Sequence, residues 1–281
     1  MSTAFNRQIQ ESPSPSYVFG SADEFAQPRH QELSALFDAQ SKRHLTQLGV
    51  GEGWTCLEVG GGGGSIASWL CDRVGEFGGV LATDIDLRFL SALRYPNLAV
   101  RRHDIQTEGL PERQFDLAHA RLVLMHLPER ELALERMLKS LKPGGWIVIE
   151  EMDDLSIVPD CSVNPAEEEL QVRRAFQHVL ASRGAELRYG RLLPQKLQAQ
   201  GLVNVGAEAS VSMWKGRSAG TRFMKLACQQ LREQIIGSGL ISQSEFDAEI
   251  KRIDEQDFLM PSPMLWTAWG QIPMEFASKR G

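Results

Sequence analysis

Five adjacent glycines follow an acid in the stretch Leu57-Glu58-Val59-Gly60-Gly61-Gly62-Gly63-Gly64. A residue without Cβ lets a chain turn tightly and lets a ligand come close to its backbone. A helix starting at Ser65 would aim its free N–H groups at that ligand. Gly62, Gly64 and Ala67 fit a loose dinucleotide fingerprint. Glu58 points elsewhere, because a carboxylate repels a pyrophosphate and suits a ligand with a positive amino group. A glycine turn with a purely structural role is the rival reading. Two further acids recur at intervals. Asp84, in Ala82-Thr83-Asp84-Ile85-Asp86, is placed to accept hydrogen bonds from two ribose hydroxyls. Asp104, in His103-Asp104-Ile105, is placed to take one from an adenine amino group, with Ile105 against the ring. Asp86 reads as a helix cap.

Other residue types suggest chemistry less directly. His126 has a side chain suited to proton transfer near neutral pH, against a plain packing role. Arg121 is a candidate for holding an acidic group, with a structural ion pair equally open. His119 reads as structural. Tyr17 is a candidate for closing over a cofactor or acting at an acceptor, against plain packing. Glu150, Glu151, Asp153 and Asp154 form an acidic run that reads as a solvated loop, with a divalent metal as the rival. The expectation is therefore no metal. Phe223, Leu226, Leu231, Ile235 and Ile236 make an apolar stripe read as core, and Trp214, Trp266 and Trp269 stay open between core and pocket.

These residues need a scaffold, and the pattern around them supplies one. Strands are predicted at Thr55–Val59, Val80–Ile85, Ala99–His103, Phe115–Ala120 and Trp146–Glu150. Between them, helices are predicted at Ser65–Val74, Leu87–Leu93 and Glu129–Leu141, the last stopped by Lys142-Pro143-Gly144-Gly145. Strands alternating with helices make parallel βαβ units and a doubly wound sheet. One or two amphipathic helices are predicted between Pro28 and Leu48. After Met152 the pattern turns helical over Pro165–Arg183, Leu192–Gln200, Ala219–Gly237 and Gln243–Gln256, with strands at Val203–Trp214 and Met264–Gln271. The division expected is an arm and covering segment at 1–27, a core at 28–217, a helical cap at 218–260, and a last strand and tail at 261–281.

Composition limits the function classes. The chain has 281 residues, with 42% apolar and 23% charged residues and a formal net charge of −6. That acidity disfavours a broad phosphate-binding surface and hence nucleic acid. The four cysteines form no C-x-x-C pair, so a reducing cytoplasm is expected. No apolar run reaches membrane-spanning length.

The motifs together resemble those of class I S-adenosylmethionine-dependent methyltransferases of the bacterial small-molecule, specialised-metabolism type. The likeness runs from Tyr17 to Glu151. It rests on Leu57–Gly64, Ala82–Asp86, His103–Ile105, Phe115–Pro128 and Leu141–Glu151, with Tyr17-Val18-Phe19-Gly20 similar to a cofactor-covering segment. The resemblance implies a Rossmann-like α/β fold with a doubly wound, mostly parallel seven-stranded sheet and a helical cap. It implies S-adenosyl-L-methionine as cofactor and S-adenosyl-L-homocysteine as product, with contacts from Tyr17, Glu58, Gly60, Gly61, Gly62, Asp84, Ile85, Asp104, Ile105 and Ala120. It implies methyl transfer to an O, N or C atom of a small molecule, with His126, Arg121 and Tyr17 as candidate catalytic residues, in a monomer or homodimer. A cyclase-type enzyme that keeps the cofactor and an NAD(P)-dependent oxidoreductase are the alternatives.

Overall fold

The computed structural model describes residue 19, residues 24–157 and residues 166–274. Tyr17 and Gly20 lie outside them. Seven strands form one sheet in the order β3-β2-β1-β4-β5-β9-β6. β1 (Thr55–Val59), β2 (Gly79–Asp84), β3 (Leu98–Arg102), β4 (Phe115–Arg121) and β5 (Leu141–Asp153) run parallel. β9 (Met264–Gln271) pairs antiparallel with β5 and with β6 (Val203–Ser210). The chain order reverses beside β1, and ligands of open α/β sheets bind at such a switch point, outside the carboxyl ends of the strands.

The central strands are apolar runs because both faces are covered. α3 (Arg130–Ser140) and α5 (Tyr189–Ala199) bury Leu134, Met137 and Leu193 with Leu57, Ala118 and Ile147. α1 (Ala26–Gln47) and α2 (Ser65–Val74) pack elsewhere on the sheet, where Leu45, Ile66 and Leu70 meet Cys56, Val80 and Leu117. Cys56, Cys71 and Cys228 are buried free thiols.

Three expectations need correction. The Leu87–Leu93 helix is only a 3-10 turn at Leu90–Ala92. Its chain leaves helical geometry at Leu93, and Pro96 disfavours helix at Tyr95. Lys142-Pro143-Gly144-Gly145 does not separate α3 from a strand. It lies inside β5 as an irregularity, with the β4 register shifting between Phe115 and Leu117. Val203–Trp214 is two strands. β6 ends at Ser210, and β7 (Met213–Lys215) pairs instead with β8 (Leu259–Pro261).

That small β7–β8 sheet is the neck of the cap. The chain leaves through Met213–Lys215 into α6 (Ala219–Gln230), α7 (Arg232–Gly237) and α8 (Gln243–Arg252), and returns through Leu259–Pro261. The caps of these helices are local: Ser218 accepts from the Thr221 N–H, and Ser242 with Glu245 forms a capping box. α4 (Ala166–Ser182), which follows β5, shares the cap's apolar centre. Val172, Ala175, Val179 and Leu180 bury against Ala227, Leu231, Ile235 and Phe246. The stripe read as core is thus split, with Leu231 and Ile235 inside the cap and Phe223 turned to the cavity described next.

Candidate functional site

A single cavity lies along the carboxyl edge of β1, β2 and β4 and reaches under the cap. It holds about 1700 Å³ with its open mouth included. Gly60, Gly62, Asp84, Ile85, Asp104 and Ile105 line one end. Arg121 and His126 line it as well. Eight residues singled out in the sequence thus share one chamber.

The glycine loop follows β1 because its backbone takes shapes closed to other residues. Gly60 has φ +66°, and a Cβ there would stand 2.3 Å from Val123 Cγ2. Gly62 has φ +50°, and its Cβ would stand 2.9 Å from His30 Cε1. The loop is therefore sandwiched between the turn after β4 and α1, leaving a cradle of bare backbone. His30 is held neutral, its pKa lowered to about 4 by burial and then by the Arg29 and Arg121 cations. Neither His30 nor Arg29 stood out in the sequence, where they read as the polar start of an amphipathic helix.

Asp84 closes β2 beside this loop. One carboxylate oxygen accepts from the Gly62 N–H at 2.9 Å and the other from the Asp86 N–H at 3.0 Å. Burial raises its pKa, and those backbone donors oppose the rise. Each oxygen keeps a lone pair, so the group can take a pair of hydroxyls. Asp104 anchors its own loop, accepting from the Gln106 N–H at 2.9 Å. The cradle, the carboxylate at the strand end and the second acid fit a nucleoside-bearing cofactor.

Glu58, Gly61 and Ala120 are not in the cavity wall. Glu58 stands opposite His119 in the β1–β4 register, and its carboxylate meets His119 Nδ1 at 2.6 Å. His119 Nε2 lies 3.4 Å from Glu150, which also accepts from Ser41 and, at 2.8 Å, from Thr267. Burial pulls the His119 pKa down, but the two carboxylates overcome it and raise it to about 9. Glu58 therefore belongs to a buried ionic chain beneath the loop.

Arg121 donates to Asp38 and Ser41 of α1, each at 2.9 Å. It is a structural tie that also faces the cavity. His126 is half-buried and makes an edge contact with Phe19, ring centroids 5.7 Å apart. Burial, then the Arg29 and Arg130 cations, lower its pKa to about 4, so the imidazole is neutral and weakly basic. Phe19 also lies under the Arg29 guanidinium at 4.6 Å, placing part of the N-terminal segment in the wall.

The acidic run after β5 is not a solvated loop. Glu150, Glu151, Asp153 and Asp154 are all buried, because β5 extends to Asp153 and the cap covers its end. Three of them have close partners: Glu150 is bonded as above, Glu151 accepts from the Val123 and Leu124 N–H groups, and Asp153 pairs with Arg191. Among the described residues no cluster of His, Cys, Asp and Glu could hold a metal ion.

Comparison with known proteins agrees with this geometry. The methyltransferase domain family matches residues 57–149. The methyltransferase str2 of Strobilurus tenacellus is 27% identical, over 59% of this chain and 61% of its own length. A ubiquinone/menaquinone biosynthesis C-methyltransferase UbiE of Laribacter hongkongensis is 32% identical, over 38% of this chain and 46% of its own. The chain thus spans less than two thirds of either relative. The crystal structure of Haemonchus contortus phosphoethanolamine N-methyltransferase 2 with S-adenosyl-L-methionine superposes with a TM-score of 0.53 at 16% identity, covering 84% of this chain and 53% of that one. In fold, the chain is therefore a Rossmann-like α/β protein, with a core over residues 57–149 similar to the methyltransferase domain family.

Proposed function

We propose that this chain is an enzyme moving a methyl group from S-adenosylmethionine to an O, N or C atom of a small molecule. The observation that carries the reading is one cavity joining the glycine cradle, Asp84 and Asp104 to an apolar wall from the cap. In this reading Asp84 takes the ribose hydroxyls, Asp104 the adenine amino group, and Ile85 and Ile105 pack on the base. Arg121 and Arg29 are the cations placed for the carboxylate of the cofactor's amino-acid end. When bound, the cofactor supplies an electrophilic methyl group on a sulfonium. The protein's part is to align the acceptor and exclude water, and alignment supplies much of the rate in a displacement. The N-terminal segment represented by Phe19 and the cap would close over the acceptor.

The similarity to UbiE, a C-methyltransferase of ubiquinone/menaquinone biosynthesis, supports a small-molecule acceptor over nucleic acid. The specialised-metabolism setting, a cytoplasmic location and a monomeric or homodimeric state belong to the same proposal. Among the described residues no helix is long and apolar enough to cross a membrane.

Calorimetry with S-adenosylmethionine, S-adenosylhomocysteine and NAD tests the reading. Asp84→Ala is expected to keep the fold and weaken cofactor binding by about 1–3 kcal/mol, the scale of hydrogen bonds to a charged group. NAD binding in preference, or an unchanged affinity in the variant, would overturn it. Retention of the cofactor without homocysteine product would select the cyclase-type alternative.

A further inference from the structure

Beyond the cofactor end, the cap wall of the cavity carries a carboxylate whose hydrogen-bonding capacity nothing uses. Asp154 follows β5 and its side chain is 10% exposed. Its main-chain carbonyl accepts twice, from Arg173 at 3.2 Å and Gln177 at 2.9 Å, both on α4. Those two bonds fix the residue firmly in place. Its carboxylate, by contrast, accepts no hydrogen bond from any described residue; the nearest partner is the Arg173 guanidinium at 3.8 Å. Asp154, Arg173 and Gln177 all line the cavity.

A buried carboxylate without donors is costly. Burial raises its pKa, and Arg173 pulls it back down. Two nearby features set the type of donor that would complete it. Arg173 already supplies a cation, so a neutral donor gains more than a second positive charge. The surrounding wall is apolar and aromatic, with Phe176, Leu180, Trp214, Phe223 and Met224.

We propose that Asp154 is the anchor of the acceptor site, taking a hydrogen bond from a neutral O–H or N–H group carried on a flat apolar skeleton, with Arg173 and Gln177 as its positioning residues. This rests on the methyltransferase reading and names the substrate chemistry for it. Asp154 faces into the chamber, where it would hold one end of the acceptor while the aromatic wall holds the rest.

The test uses the full chain saturated with S-adenosylhomocysteine and three probes: 2-naphthol, 2-methoxynaphthalene and 2-naphthylmethylamine. Calorimetry is expected to show naphthol binding about tenfold more tightly than its methyl ether, the factor one hydrogen bond to a charged group supplies. Asp154→Ala should abolish that preference and Asp154→Asn, which keeps only a neutral carbonyl acceptor, should reduce it; both should leave methoxynaphthalene binding in place and S-adenosylhomocysteine affinity unchanged. Gln177→Leu, which frees the Asp154 carbonyl, should reduce the preference in part. Equal binding of naphthol and ether by the unaltered protein, no binding of either, tighter binding of the amine, or a preference that survives in Asp154→Ala would each overturn the proposal. Failure to bind S-adenosylhomocysteine at all would instead sink the methyltransferase reading, so the two failures are distinguishable.

Discussion

At the scale of single residues, the glycine loop does two jobs that one substitution separates. Gly62 is left-handed, its N–H serves Asp84, and His30 fills the space a side chain would need. Gly62→Val places a branched Cβ where φ is +50° and where His30 stands, a conformation essentially closed to a β-branched residue. The expected outcome is loss of cofactor binding together with a lower Tm, because the His30 side of α1 is pushed away. Gly79→Ala, with nothing within 4 Å of its Cβ, should change neither. Normal calorimetric binding by a folded Gly62→Val protein would mean that the cradle does not touch the cofactor. The place of Asp84 and Asp104 in the cavity wall is legible in the sequence, because strand-end acids need only the strand to be found. The surroundings of Glu58 are not legible in the same way, because they depend on register. Only pairing β1 beside β4 reveals that it faces His119. Asp154 was unreadable as an anchor for the same reason, since its partners come from α4 some twenty residues on.

At the scale of elements, the turn after β4 is held by an acid on the neighbouring strand. Leu122 is left-handed at φ +54°, and Leu124–His126 forms a 3-10 turn in which His126 donates to the Val123 carbonyl while the leading N–H groups of Val123 and Leu124 have no partner in the turn. Glu151 of β5 supplies that partner. One carboxylate oxygen accepts from Leu124 at 2.6 Å and Val123 at 3.1 Å, while the other is buried without a partner among the described residues. Burial raises the Glu151 pKa to about 8 against these backbone donors. The folded protein thus holds a proton that the unfolded chain gives up near 4.5, and stability falls as pH rises from about 4.5 to 8. Glu151→Gln keeps a carbonyl acceptor and removes the titration, so its unfolding free energy should fall less steeply over that interval. Glu151→Ala should cost about 1–3 kcal/mol by orphaning the two N–H groups. Equal pH slopes for Gln and the parent would reject this assignment. Strands and helices with strong periodicity, β1, α2 and β9, were legible to the residue. The turn at 122–126, the β5 irregularity and the β7–β8 neck were not, because each is made by partners distant in sequence.

At the scale of the whole molecule, the buried chain Glu58–His119–Glu150 joins the parts that carry function. Glu58 lies beneath the glycine loop on β1, His119 on β4 and Glu150 on β5. Glu150 then reaches Thr267 of β9 and Ser41 of α1, whose hydroxyl also meets Arg121. One cation between two carboxylates therefore ties three parallel strands, the antiparallel edge and the first helix. Such an arrangement is weak evidence for stability when whole, yet removing one partner leaves uncompensated charge in the interior. His119→Gln should accordingly lose about 3–5 kcal/mol in urea unfolding. The pH dependence supplies a second, independent signature. With its pKa raised to about 9, His119 contributes stability in full below its ordinary 6.5 and loses it as pH climbs through 9. Burial works against Glu150 but His119 and Arg121 prevail, holding it down to about 2, so its contribution is present above 4.5 and fades toward that value. The chain is thus at full strength between about 4.5 and 6.5, and because Glu151 already loses stability across that window, the parent protein should be most stable near its acid end. Glu151 adds to the alkaline decline only up to about 8, so from 8 to 9 His119 acts beside the thiols of Cys56, Cys71 and Cys228, which burial holds above their ordinary value and which His119→Gln leaves unchanged. In His119→Gln the slope across that interval should flatten while the Glu151 decline below it persists. An equal slope from 8 to 9 in the parent and the variant would show that His119 is neutral in the folded protein, and that the strands around the cofactor cradle are held by something other than this ion chain.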